Sequence, residues 1–267
     1  MNSPPPLFRH LPARGPELPL LVSIPHTGTY VPPQIAARFA SPTMAQGEMT
    51  DWHLHELYAF LPDLGVDVIH ATHHRFVVDL NRPPDSSPLY PGRFETGLVP
   101  TATFQGANVW RVSPDAKEVQ ERRERYHRPF HAALEQQLMG KVARFGRCTL
   151  IDAHSVESRA NRLHGALQHE IYLGDRDGKT CDPRLMELVA GEFGKRGLQV
   201  SINNPYKGGY ITAHYPGMAG VQTLQIEMVQ KLYMEEGAPR TALQHPRFAA
   251  FSGTLRGVFE AIAATRR

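Results

Sequence analysis

The 267-residue sequence predicts an α/β fold, a mixed and largely parallel sheet with helices on both faces. Three observations carry that expectation. Short β-branched apolar runs alternate with stretches of helical period. Proline and glycine punctuate the junctions, and polar clusters follow the apolar runs rather than interrupting them. Leu18–Ile24, closed by Pro25, reads as a buried strand. Leu54, Leu57, Tyr58 and Leu61 place a helix over Trp52–Leu61. Val66–Ala71 and Phe76–Leu80 read as strands. Ser113-Pro114 suits a cap and first turn, opening a long helical stretch kinked or broken at Pro129. Thr149–Ala153 and Glu170–Leu173 are strand-like, and Pro183–Arg196 is helical. Gln199–Asn203 and Thr223–Val229 add strands, and Arg247–Thr265 closes the chain as a helix.

One stretch escapes this alternation. From Arg82 to Arg111 there are five prolines, three glycines and no sustained periodicity, which reads as a lid or binding loop after the charged strand end, or else as a plain insertion. The expected organisation is one hydrolytic domain over 1–267, with a Pro-rich segment at 1–17 and an active-site loop at 82–112.

Composition narrows the function classes. A hydrophobic share of 41% with 21% charged residues is globular. Cys148 and Cys181 are too few for a disulfide framework or a thiolate cage. The N-terminus lacks a basic region followed by an apolar one, and no apolar run approaches the about 18 residues of a membrane span. The expectation is a cytoplasmic protein without a membrane partner. A formal charge of +3, with Arg122–Arg128 interrupted by Glu124, offers no basic stripe for nucleic acid. A monomer or small homo-oligomer fits.

Polar clusters at the carboxyl ends of strands are informative, because open α/β sheets bind ligands there. They are Ser23–Gly28, Asp51-Trp52-His53, Asp79–Arg82 and Asp152–Ser155. A catalytic zinc takes three protein ligands and keeps one open position, and His26, Asp51 and His154 offer such a set. Each has a plainer reading: His26 as a turn residue, Asp51 as a helix N-cap, His154 as a satisfied strand-end histidine. Asp152, two residues before His154, is placed to receive the imidazole's other N–H or to bind metal itself. Glu227, flanked by Leu224, Ile226 and Met228, is a candidate general base or a structural ion-pair partner. Asn81 and Arg82 supply an amide and a planar fork for a substrate carboxylate, unless Arg82 pairs with Asp79 or Asp85.

Taken in order, these pieces resemble the N-formylglutamate amidohydrolases. The matching stretches are Ser-Ile-Pro-His-Thr-Gly (23–28), Thr-Asp-Trp-His (50–53) and Arg-Phe-Val-Val-Asp-Leu-Asn-Arg (75–82). Asp-Ala-His-Ser (152–155), Lys-Gly-Gly-Tyr-Ile-Thr-Ala-His-Tyr (207–215) and Leu-Gln-Ile-Glu-Met (224–228) complete them. The resemblance implies a zinc-exopeptidase-like α/β sheet and hydrolysis of N-formyl-L-glutamate to formate and L-glutamate, a step of histidine degradation. It makes His26, Asp51 and His154 the metal ligands, with Glu48, His53 and Asp152 in reserve for Asp51. It makes Asn81 and Arg82 the carboxylate clamp and Glu227 the base. Two imidazoles and a carboxylate suit one divalent ion, zinc first, with iron, cobalt or manganese also accepted. A dianionic small-molecule substrate needs further cations, for which Arg75, Lys207 and Arg93 are candidates, and His214 is a candidate oxyanion donor. Of fourteen histidines, ten are left to surface or packing roles. Two other readings compete: a related metal amidohydrolase or aminoacylase for another N-acyl amino acid or short peptide, and a non-catalytic binding protein.

Overall fold

The computed structural model describes residues 3–266. Its strands are β1 (Phe8–Leu11), β2 (Leu20–Ile24), β3 (Asp67–Ala71), β4 (Cys148–Val156), β5 (Ile171–Gly174), β6 (Val200–Ile202) and β7 (Val221–Val229). They form one sheet in the order β1-β3-β2-β4-β7-β5-β6. The centre, β3-β2-β4-β7, is parallel; β1 is antiparallel to β3, and β5 to β7. The helices are α1 (Pro33–Ala36), α2 (Leu54–Leu57), α3 (Ala116–Arg122), α4 (Arg128–Phe145), α5 (Pro183–Lys195), α6 (Tyr210–His214) and α7 (Pro246–Ala264). One face of the sheet packs on α5 and α7, the other on α4, so the mixed, largely parallel sheet with helices on both faces is what the sequence specifies. Leu185, Val189 and Phe193 recur every four residues on α5 and are fully buried, each stabilising the fold by about 1.5–3 kcal/mol.

Alternation along the central strands decides where chemistry can sit. On β4, Ile151 and Ala153 face the α5/α7 layer, while Cys148 and Leu150 face the α4 layer. On that second face the residues after Leu150 are Asp152 and His154. On β7, Val221 faces the α4 layer, and Gln225 and Glu227 follow it on the same side. One sheet face thus changes from apolar to polar halfway along its strands. Leu224, Ile226 and Met228 belong to the opposite face, so they flank Glu227 in sequence and not in space.

Four sequence expectations are revised. Phe76–Leu80 is no strand but turn and irregular backbone outside the seven-stranded sheet. Its polar groups are satisfied individually: Arg122 donates to the carbonyls of Phe76 and Val77, His74 Nδ1 accepts from Phe76 N, and Asp79 N donates to Leu98 O. The helix expected over Trp52–Leu61 is the single turn α2, followed by turn residues 58–60 and a 3-10 turn over Leu61–Leu64. The long helix is not broken at Pro129. A π-turn over Arg123–His127 joins α3 to α4, and Pro129 lies in the first turn of α4. Within the Pro-rich segment, Phe8–Leu11 is an edge strand, hidden from pattern reading by its shortness and its exposed Arg9 and His10.

Candidate active site

The polar ends of β2, β4 and β7 open into a cavity of about 650 Å³. His26 enters it from the turn after β2. The turn passes so close to the segment after β3 that a Cβ on Gly28 would lie 2.3 Å from the carbonyl oxygen of His73. Asp51 follows on the next segment, its N–H donating to His26 O at 3.1 Å. It is not a helix cap, since His53 occupies the position before α2. His154 lies on β4, in register with Glu227 on β7.

His26, Asp51 and His154 are buried, and their donor atoms all lie within 4.8 Å of one another. Asp51 Oδ2 is 3.8 Å from His26 Nδ1 and 3.0 Å from His154 Nδ1. Each imidazole turns Nδ1 to the cluster because its other nitrogen is held by a carboxylate. His26 Nε2 donates to Asp79 Oδ1 at 2.7 Å, and His154 Nε2 donates to Asp152 Oδ2 at 3.0 Å. Such carboxylate partners fix the tautomer and orient a ligating ring. Asp79 is held in turn by Arg75, whose Nη2 and Nε donate to Oδ2 at 2.6 and 3.2 Å.

Electrostatics favour a cation at the centre of this cluster. Burial and the nearby Arg75 lower the His26 pKa, keeping the ring neutral as a metal ligand must be. Burial also opposes charge on His154, but Asp152 and Asp51 outweigh it and raise that pKa well above its ordinary value. For Asp79, burial is outweighed by Arg75 and His26, and its pKa falls well below the carboxylate range. Four buried carboxyl groups, Asp51, Asp79, Asp152 and Glu227, therefore surround two imidazoles with Arg75 as their paired cation. Oδ1 of Asp152 is buried without a hydrogen-bond partner among the described residues. This donor set and charge deficit fit a divalent ion.

Glu227 faces the same cavity, and its carboxylate makes no hydrogen bond or ion pair with a described residue. Burial pushes its pKa up to about 8, against the attraction of His154. Asn81 is more constrained than a clamp would be. Its Oδ1 accepts from Ile211 N at 2.8 Å and its Nδ2 donates to Asp152 Oδ2 at 2.9 Å, so it supports the His154–Asp152 pair. Arg82 lines the cavity and makes no ion pair with a described residue. Its Nε donates to Thr96 O and its Nη1 to Asn81 O, leaving Nη2 unbonded. Arg75 and Lys207 also line the cavity but are engaged, by Asp79 and by Asp177 at 2.8 Å respectively. Arg93 lines it without a carboxylate partner among the described residues.

His214 is corrected: it lines a separate shallow pocket with Tyr210, Ala213 and Arg123. On α6, Thr212 points back to Asp152, and two residues further along a helix is over half a turn away. His214 stacks instead on Tyr210, at 4.8 Å. Of the reserve ligands, Glu48 lines the cavity, Asp152 occupies the far nitrogen of His154, and His53 is not among the lining residues. Sequence reasoning missed the role of Asp79, whose signal was its place one residue before Leu80-Asn81-Arg82. It also missed Arg162, which no motif marked and which lines the cavity mouth.

The sequence matches the N-formylglutamate amidohydrolase family over residues 18–234. Two curated N-formylglutamate deformylases, from Pseudomonas putida and Pseudomonas aeruginosa, are each 37% identical to it, over 228 and 226 residues. The first match spans 84% of this chain and 85% of the relative, the second 83% and 84%. The crystal structure of N-formylglutamate amidohydrolase from Ralstonia eutropha JMP134 superposes with a TM-score of 0.83 at 32% identity, covering 97% of this chain and 98% of that one. A gene product of Agrobacterium tumefaciens, Atu2144, shares the fold at a TM-score of 0.73 and 18% identity, over 98% of this chain and 96% of its own. With the motifs in order along nearly the whole fold, the chain belongs to the N-formylglutamate amidohydrolase family.

Proposed function

We propose that this chain is a metal-dependent amidohydrolase that hydrolyses N-formyl-L-glutamate to formate and L-glutamate. One observation carries the reading: a two-imidazole, one-carboxylate donor set lies beside an unbonded buried carboxylate on the adjacent strand, in a chain of this family. His26, Asp51 and His154 would hold one divalent ion, with zinc the first candidate and iron, cobalt and manganese compatible with the same donors. When bound, such an ion polarises the formyl oxygen and makes water acidic enough to attack near neutral pH.

The chain's own residues do the rest. Glu227 accepts the proton of the attacking water and passes it to the departing amine nitrogen. Asp79 and Asp152 keep the two imidazoles turned with Nδ1 inward, and Asn81 steadies Asp152. Arg82 offers its Nη2 end to a substrate carboxylate. Arg75 contributes positive potential through Asp79 rather than a free fork. Lys207 adds charge at the rim, where it also pairs with Asp177. The segment 82–112 forms one wall of the pocket through Arg82, Tyr90, Phe94 and Phe104. Buried, unbridged Cys148 and Cys181 fit a reducing cytoplasm. Among the described residues no helix is long and apolar enough to cross a membrane.

Metal analysis of the purified protein, paired with formate release from formyl-, acetyl- and aminoacyl-glutamate, tests this reading. One equivalent of metal and a preference for the formyl substrate are expected. A preference for the acetyl compound would reassign the enzyme to another N-acyl amino acid.

A further inference from the structure

Glutamate carries two carboxylates, and the cavity's cations are not equally available for both. Arg75 is held by Asp79 and Lys207 by Asp177, which leaves Arg82 and the cations at the mouth. We infer that Arg162 receives the side-chain carboxylate of the substrate and so makes the enzyme selective for a dicarboxylate. The inference rests on the deformylase reading and deepens it.

Arg162 sits in a loop that is closed on itself. Leu167 N donates to Ser158 O at 3.1 Å, and Ser158 donates through N and Oγ to the carboxylate of Glu236 at 2.9 and 2.8 Å. Inside the loop, Asn161 Oδ1 accepts from Leu163 N at 2.8 Å. The tip is pinned across the cavity mouth to the 82–112 wall: Arg162 N donates to Phe104 O at 3.0 Å, and Gln105 Nε2 donates to Ala160 O at 3.3 Å. The guanidinium lies over the Phe94 ring, 4.0 Å from its centroid. Stacking on a ring orients the fork without neutralising it. No side-chain hydrogen bond or ion pair to a described residue engages it. Arg93, which also lines the cavity without an ion pair to a described residue, is 5.9 Å from the Tyr90 centroid, and Arg176 already covers that ring at 4.6 Å.

Substrate connectivity assigns the two arginines. The α-carboxylate carbon is three bonds from the formyl carbon, and the side-chain carboxylate carbon is five. Arg82 adjoins Asn81, whose amide touches the Asp152–His154 pair, so it lies nearer the reacting bond. Arg162 comes from the loop that closes the mouth and meets the longer arm.

The test compares kcat/KM for N-formyl-L-glutamate and the isosteric, neutral N-formyl-L-glutamine. The unchanged enzyme is expected to favour the glutamate. Arg162→Gln should cut that preference about 30-fold, the size of a lost hydrogen bond to a charged group, with the loss in the KM of formylglutamate. Arg162→Lys should restore part of it. The inference is overturned if the unchanged enzyme cleaves both substrates equally well, which would leave the deformylase reading standing. It is also overturned if Arg162→Gln keeps the preference, slows both substrates alike, or loses nothing where Arg93→Gln loses selectivity. Release of formate from neither substrate would remove both readings.

Discussion

At the scale of single residues, Glu227 and Asp79 separate two kinds of contribution. Glu227 has no hydrogen-bond or ion-pair partner among the described residues and faces the pocket, so Glu227→Gln changes its proton chemistry while nearly preserving its shape. The expected result is a fall in kcat of about 10²–10⁴-fold with metal content unchanged, read by formate release and metal analysis. Retained turnover would remove Glu227 as the base. Asp79 touches the Nε2 of His26 rather than the cluster centre. Asp79→Asn should lower metal affinity about 10–100-fold, measured by competition with a chelator, because the ring loses the carboxylate that orients it. An unchanged affinity would make Asp79 a partner of Arg75 alone. This division was half legible in the sequence. Asp152 is two residues from His154 on one strand, and period-two alternation finds it. Asp79 reaches His26 across 53 residues of chain, and no local pattern reports that contact.

At the scale of elements, the 76–82 segment explains both a miss and a success of sequence reasoning. Its β-branched run looks like a strand because strand preference measures how well a residue fits a buried surface, and Phe76, Val77 and Val78 are buried. The ladder is replaced by side chains from a helix. His131 Nε2 donates to Leu80 O at 2.9 Å and His127 Nε2 to Arg82 O at 3.0 Å, so two histidines read as packing residues fix the backbone around Asn81. The motif was legible because chemistry constrains its residues, whereas the π-turn that presents His127 left no signature in the pattern. The remaining support comes from α6. A Cβ on Gly209 would fall 2.4–2.6 Å from the Asn81 carboxamide, although its φ of −86° suits any residue. Gly209→Ala should therefore displace Asn81, costing about 1–3 kcal/mol of stability. Catalysis should fall further, about 100-fold in kcat/KM, because a shift near 1 Å is felt at the reacting bond. Thermal unfolding and kinetics on one preparation check both, and wild-type kinetics would show that Asn81's position is not needed.

At the scale of the whole molecule, buried histidines outside the metal-ligand cluster contribute to its response to acid. Burial pushes His74 down to about 3, aided by Arg75, and pushes His70 and His73 down to about 4. His74 is the clearest case. Its Nε2 donates to Glu48 O and its Nδ1 accepts from Phe76 N, so a second proton would break the latter bond and place charge in the interior. A histidine whose folded pKa lies below its unfolded value of about 6.5 binds fewer protons folded than unfolded between the two. Stability from such groups is full above pH 6.5 and is lost as the pH falls toward 4 and below. For His74, buried on all sides, each unit of that window costs about 1.4 kcal/mol. Denaturant unfolding at about pH 7.5 and about pH 5 should show a clear loss at the lower value. Glu227 and His154, whose pKa values are raised, act in the opposite direction over part of this window, so the diagnostic measurement is a difference. His74→Gln retains amide hydrogen-bonding groups but takes up no proton, and should flatten the pH dependence while lowering stability at neutral pH. An identical pH slope in the two proteins would show that His74 is not one of the groups through which acid unfolds the fold.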